Sequence, residues 1–439
     1  MSLDHGTKRQ VKPDWLRAQF RALIVESRAP REGIWLLVAV VSAGLLNYAT
    51  NVGIGRWLGP VHYGVYVSLV SLYAMLDTPV GIIRTTMVNY TASLNAAGRE
   101  GEIGSLAHFL LTRTMLVGIL GTLVFFLFIP RIRTLLDISS TVPLVLLGLC
   151  ILPVTGLPAI TGTLQGLQRF YLFGVLLIIG PFFRLISAAT LTRQGWGLNG
   201  GAVALLLHPT ISFIVGCFLL RAIWNKGRTH EVHGHHLLGF SFRTAFGLLC
   251  LAFLTNIDVV VVRSSFAGVE AGRYCAVATL GKSILYLSTA VTTILFPKTV
   301  EHRTLKRESK RMVRRSLCAV ALISLAVTGV FFLLYSRIIG GLFGVGYLTD
   351  RSLLGLYGLA MTSYALVGVW FYYYLGVGHS YYVCALLVGA VVQWALLKLF
   401  GTSLLSVVVV LIGMGFSLYL VGHIITLSKV RCTNAGQHP

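Results

Sequence analysis

Acidic side chains are scarce in this sequence. Only 14 Asp and Glu stand against 36 Lys and Arg, for a formal net charge of +22. Two acids, Asp77 and Asp258, fall inside apolar stretches, few for a cavity built to hold organic cations. Cysteine is sparse as well: the seven are scattered, mostly in apolar stretches, and no Cys-x-x-Cys occurs. A disulfide framework is not indicated, and small apolar packing is the favoured role. Strict polar–apolar alternation over about 10 residues is missing, which excludes a membrane β-barrel. No nucleophile–base pair or phosphate-binding loop is apparent. The outer connections are short and carry only Asp137, Glu270 and Asp350, which argues against a membrane glycosyltransferase or glycan polymerase. The first 32 residues are polar and basic, so no cleavable signal peptide is expected.

What is present is apolar. Hydrophobic residues make up 56% of the chain, and the mean hydropathy is +0.80. Twelve segments can each span about 30 Å of hydrocarbon as a helix of about 20 residues. They are 35–54, 63–89, 106–129, 142–164, 170–191, 202–220, 245–262, 271–296, 317–335, 353–375, 380–400 and 404–427. An all-α integral membrane protein is therefore expected. With the N-terminus in the cytoplasm, 23 Lys and Arg fall on the inner side and 7 on the outer side. This alternation holds through all the spans and places both termini inside.

The basic, His-rich connection near 221–244 divides the spans six and six. The expected organisation is a basic tail at 1–32, an N-terminal lobe at 33–228, a linker at 229–241, a C-terminal lobe at 242–428 and a tail at 429–439. The halves echo each other. Asn51 to Arg56 followed by Gly64-Val65-Tyr66 matches Asp258 to Arg263 followed by Gly272-Arg273-Tyr274. Gly166 to Tyr171 matches Gly376 to Tyr381 at a nearly constant offset. An offset of six spans keeps the orientation, so the repeats are parallel, with a central cleft between lobes. Pro79, Pro153, Pro158, Pro181 and Pro209 offer kinks for lobe movement.

Cations inside the apolar stretches are the candidate functional groups. Arg84, Arg184 and Lys282 each cost several kcal/mol at bilayer depth unless they face water, a partner or a ligand. A wet cationic cavity for an anionic substrate accounts for them. Tyr73, Asp77, Gly81 and Arg84 share one helical face, as do Lys282, Tyr286, Thr289 and Thr293. Arg184 has Ser187 one turn later. Arg56 and Arg263 end matching spans; contact with substrate and snorkelling at the interface both stay open for them. Asp258, next to Asn256, is either a site for a coupling H⁺ or Na⁺ or a neutraliser of Lys282 or Arg263, the second being favoured. Asp77 has the same two roles open.

Three other features read as ordinary surface. His230, His233, His235 and His236 lack the zinc-protease spacing, so a solvated loop is expected and no metal. Lys306, Arg307, Lys310, Arg311, Arg314 and Arg315 read as a topology signal in contact with anionic membrane lipids, not nucleic acid. Trp15, Leu16, Phe20, Leu23 and Ile24 are spaced for an interfacial helix, or belong to a partly ordered basic tail.

Three stretches resemble the polysaccharide-biosynthesis flippases, the Wzx-type oligosaccharide flippases of the MOP superfamily. They are Gly55-Arg56-Trp57-Leu58-Gly59-Pro60 with Tyr63-Gly64-Val65-Tyr66, then Gly166-Leu167-Gln168-Arg169-Phe170, then Asn256-Ile257-Asp258 with Ala271-Gly272-Arg273-Tyr274 and Phe296-Pro297. The resemblance implies two six-helix lobes in a V, as in MATE-like proteins. It implies transfer of an undecaprenyl-pyrophosphate-linked oligosaccharide across the bacterial inner membrane, in concert with other polysaccharide-assembly proteins. It implies no enzymatic step and no cofactor. A multidrug antiporter of the same superfamily is the alternative.

Overall fold

The computed structural model describes residues 14–224, 238–288, 310–377 and 381–435, with a few positions between 288 and 310. Among the described residues the regular structure is helical, with no strand. The first half holds α1 (Asp14–Ala96), α2 (Glu100–Leu135), α3 (Val142–Gly166), α4 (Phe170–Leu191) and α5 (Gly197–Trp224). The second holds α6 (Leu238–Leu254), α7 (Ile257–Ser265), α8 (Gly268–Gly281), α9 (Lys310–Leu342), α10 (Leu353–Val377), α11 (Tyr381–Phe400) and α12 (Leu404–Ala435).

Nine of the described helices are long and apolar enough to cross a membrane. Two are too long for one crossing. Ile34–Asn95 has 62 residues, about 93 Å at 1.5 Å per residue. Phe170–Arg221 has 52, about 78 Å on the same rise. Each contains a backbone break at glycine. Gly59 has φ 71 and ψ 172, and Gly195 and Gly197 have φ 90 and 52. A side chain at those angles is strained, so glycine is the residue that lets the chain turn back. Each long helix is thus two crossings. The eighth expected span begins in α8 and is described through Ser288, with scattered positions beyond. The other eleven segments read from hydropathy are accounted for in this way among the described residues. The prolines inside α1, α3, α4 and α5 stay within helical backbone; the breaks are at glycine instead.

The two most enclosed single spans are Val142–Gly166 and Leu353–Val377, 72% and 78% buried over their apolar windows. They are the fourth and the tenth crossings. A six-span separation between equivalent central helices is what parallel repeats produce. The halves meet mainly through α1, which packs on α3, α4 and α5 in its own half and on α6, α7 and α8 in the other. Residues 63–69 of α1 are all buried, whereas Asp77, Arg84, Thr85, Asn89 and Tyr90 farther along the same helix are exposed. The lobes are therefore sealed at the Arg56 end and parted toward the other. Residues 225–237, the His cluster, Thr289, Thr293, Lys306 and Arg307 lie outside the described residues, as do the side chains of the Trp15–Ile24 stripe.

Candidate functional site

The cleft is built from residues of both halves. The second span supplies Tyr73, Asp77 and Arg84. Gly81, on the same face, has open space where a Cβ would project. Asp77 and Arg84 are exposed and Tyr73 is half-buried. Tyr286, from the opposite lobe, is 75% exposed. Arg84 lies near Tyr372 on α10, and Asp77 and Arg184 lie near Tyr286. Spans two, five, eight and ten thus face one another here.

Arg184 stands in the wall of this space and is 5% exposed. Its Nη1 donates to Asn47 Oδ1 at 2.8 Å, and its Nη2 to the Tyr66 hydroxyl at 2.6 Å and to Asn51 Oδ1 at 3.4 Å. Its Nε is buried with no partner, as is Nδ1 of nearby His208. All three acceptors are neutral. Only Arg99–Glu102 and Arg263–Asp137 form ion pairs within 4.0 Å among the described residues. The guanidinium is hydrogen-bonded but its charge is not balanced, which leaves a strong attraction for an anion. Ser187 takes no part, since its hydroxyl donates back to Phe183 O at 2.7 Å.

The C-terminal lobe carries a second polar cluster, set at a helix break. The seventh span is interrupted at Thr255-Asn256 between α6 and α7, and Lys282 follows α8 with helical backbone angles, φ -63 and ψ -15. Lys282 Nζ donates to Asn256 Oδ1 at 2.8 Å, and Asn256 Nδ2 donates to Ala252 O at 2.8 Å. The carbonyl of Leu254, at the end of α6, accepts Gln393 Nε2 at 2.8 Å, and Gln393 Oε1 accepts the Tyr364 hydroxyl at 2.6 Å.

Asp258 begins α7 and is fully buried. It does not form the ion pair with Lys282 or Arg263 that the sequence favoured. Its Oδ2 accepts the hydroxyls of Tyr274 and Tyr357, each at 2.8 Å, and Oδ1 has no partner. Two phenols replace the cation because helix packing brings α8 and α10 against it. Arg56 and Arg263, for which substrate contact and snorkelling were both open, bond to protein groups instead. Arg56 donates to the carbonyls of Leu342 and Gly341. Arg263 donates to Asp137 O at 3.2 Å, with Asp137 Oδ2 at 3.9 Å. Both lie at the sealed end of the molecule, not in the cleft. No group of three or more potential metal ligands occurs among the described residues.

Asn47, Tyr357 and Gln393 escaped the sequence reading, and Asn51, Tyr66 and Tyr274 entered it as repeat and motif positions, not as site residues. The available signals were the matched places of Tyr66 and Tyr274 in the repeats and the i, i+4 spacing of Asn47 and Asn51 in an apolar span.

A family model described as polysaccharide biosynthesis protein matches residues 54–352, more than half of the chain. No curated protein is matched. Among solved structures, the fold is similar to an inward-facing multidrug-resistance MATE transporter of the MOP superfamily, with TM-score 0.72, 14% identity and coverage of 92% of this chain and 99% of that one. An outward-facing MATE transporter gives TM-score 0.60, 15% identity and coverage of 92% and 96%. The lipid II flippase MurJ, in an inward closed conformation, gives TM-score 0.69, 13% identity and coverage of 90% and 87%. At these identities the likeness is one of fold.

Proposed function

Because this chain belongs to the polysaccharide biosynthesis protein family, we propose that it is a flippase for an anionic lipid-linked oligosaccharide of the undecaprenyl-pyrophosphate type. It works by alternating access, from the inner to the outer leaflet of the bacterial cytoplasmic membrane, with both termini inside. The observation that carries this reading is a cation set without carboxylate partners. No acid lies within 4.0 Å of Arg84, Arg184 or Lys282 among the described residues.

The sugar head group and its pyrophosphate enter the parted end of the cleft, while the lipid tail stays in the bilayer through a lateral opening. Arg84 meets phosphate first, being exposed, with no acid within 4.0 Å among the described residues. Arg184 supplies a fixed positive wall. Lys282 trades the neutral Asn256 oxygen for a phosphate oxygen, an exchange that gains a charge-assisted bond. An inside-negative potential favours outward movement by about 2.3 kcal/mol per anionic charge per 100 mV. Asp258 is the coupling group: a buried carboxylate with an oxygen unused among the described residues suits a coupling H⁺ or Na⁺. Asp77 tempers the positive field beside Arg84. Handing-on to other polysaccharide-assembly proteins would follow release, and anionic lipids would hold the basic inner connections.

Glycan at the cell surface measures this. Lys282→Ala should lower surface glycan at least tenfold at unchanged protein abundance. Full export would overturn the role of Lys282. Drug resistance conferred by the chain, without glycan export, would overturn the reading altogether in favour of the multidrug antiporter.

A further inference from the structure

Arg56 and Arg263 occupy matching positions in the two repeats, and each reaches out of its own half. Arg56 Nε donates to Leu342 O at 2.6 Å, and its Nη2 donates to Gly341 O. Those carbonyls end α9, in the C-terminal half. Arg263 Nη2 donates to Asp137 O at 3.2 Å, two residues beyond the end of α2, in the N-terminal half. The helices addressed are the third and the ninth spans, again equivalent. The two contacts are thus related by the same approximate two-fold axis as the repeats. Arg56 meets carbonyls at a helix C-terminus, where unpaired oxygens carry partial negative charge, and Arg263 meets a carbonyl just past one.

The surroundings are those of a closed seam. A Cβ on Gly64 would lie 3.2 Å from the backbone nitrogen of Gly272, and one on Gly272 would overlap the carbonyl of Pro60. The backbones of the two halves touch there because neither residue has a side chain. Tyr63 bonds Thr279 Oγ1 at 2.9 Å, and the Tyr347 hydroxyl donates to Gly55 O at 2.5 Å. Phe343, tilted, and Tyr347, edge-on, pack against Tyr63 with ring centroids 5.4 and 5.8 Å away.

We propose that Arg56 and Arg263 are a two-fold pair of latches that hold this end of the molecule shut, and that opening it requires both guanidiniums to leave the carbonyls of the opposite half. The latches are unequal. Arg56 makes two hydrogen bonds, whereas Arg263 makes one at 3.2 Å, has the exposed Asp137 carboxylate at 3.9 Å and leaves its buried Nε unused. Arg56 therefore carries more of the closure. The inference needs two lobes that part, and it holds whatever substrate the cleft carries.

Sided labelling tests it. Thr279→Cys places a thiol beneath the seam of the full-length chain. A membrane-impermeant maleimide is applied to intact cells, and modification at position 279 is read by mass spectrometry, which separates it from the native cysteines. Arg56→Gln should raise the labelling rate several-fold, Arg263→Gln less, and the double variant more than either. An unchanged rate in the double variant would overturn the proposal. Should the glutamine variants not accumulate, Arg56→Lys with Arg263→Lys keeps the charge and loses the fork. A rate in that pair equal to the parent would overturn it too. Surface glycan, measured in parallel, reports separately on the flippase reading: faster labelling with no glycan moved at all would spare the latch and sink the substrate.

Discussion

Lys282 donates to Asn256 Oδ1 at 2.8 Å, and Asn256 sits at a break in the seventh membrane helix. Interrupted helices at membrane depth are tolerated where they are enclosed by protein or line a wet cavity. Here the break in the seventh span is stabilised by Asn256 bonding back to Ala252 and by Gln393 capping Leu254. The ammonium is consequently held by a neutral oxygen beside the cleft, ready for exchange.

Asn256→Leu removes that oxygen and leaves the ammonium half-buried without its partner. Unfolding in detergent should show a loss of about 1–3 kcal/mol, the usual cost of stranding a polar group. Asn256→Leu combined with Lys282→Met should recover most of that loss. Additive losses in the double variant would mean that the two side chains do not depend on each other.

Arg184 depends on Tyr66 and Asn47 for its placement. Tyr66→Phe should cost about 1–3 kcal/mol through one unmet donor of a charged group. Arg184→Gln should abolish binding of a pyrophosphate-bearing lipid while leaving the fold intact. Unfolding in detergent checks the first and calorimetric titration of purified protein with that lipid the second, and undiminished affinity in Arg184→Gln would remove this residue from the site.

Asp258 is expected to tie transport to a cation. Asp258→Asn keeps an oxygen for the hydroxyls of Tyr274 and Tyr357 and discards the charge. Export by this variant should lose whatever dependence on external pH or Na⁺ the parent shows, as measured in everted vesicles. If the variant keeps the parent's dependence, Asp258 is structural only.

Gly272 lies where a methyl group would strike the Pro60 carbonyl. Gly272→Ala should cost about 1–3 kcal/mol of overpacking in the closed form alone. Labelling of a thiol at position 279 should accelerate in that variant, with little change in total expression. A fall in expression with no faster labelling would place the strain in the fold rather than in the seam.

Hydropathy made the spans legible, because bilayer thickness demands about 20 apolar residues whichever helices pack together. The echo between Arg56 and Arg263 was legible for the same reason, as a pattern along the chain. Asp258 was not. Its donors, Tyr274 and Tyr357, are 16 and 99 residues away and belong to different helices. Nothing local to Asp258 selects two phenols over Lys282, which lies on the same helical hairpin. The fate of Arg56 was hidden likewise, since its acceptors are backbone carbonyls 285 and 286 residues away.

The amino-acid order alone determined a helical membrane protein of two related halves with cations at depth. The solvent imposes those features on each segment separately, through the cost of leaving polar groups in hydrocarbon. Tertiary structure alone decided which cations face the cleft and which bind the halves together. That choice turns on distances between helices remote in sequence. Arg84, Arg184 and Lys282 are left without carboxylates, while Arg56 and Arg263 are drawn to carbonyls across the seam.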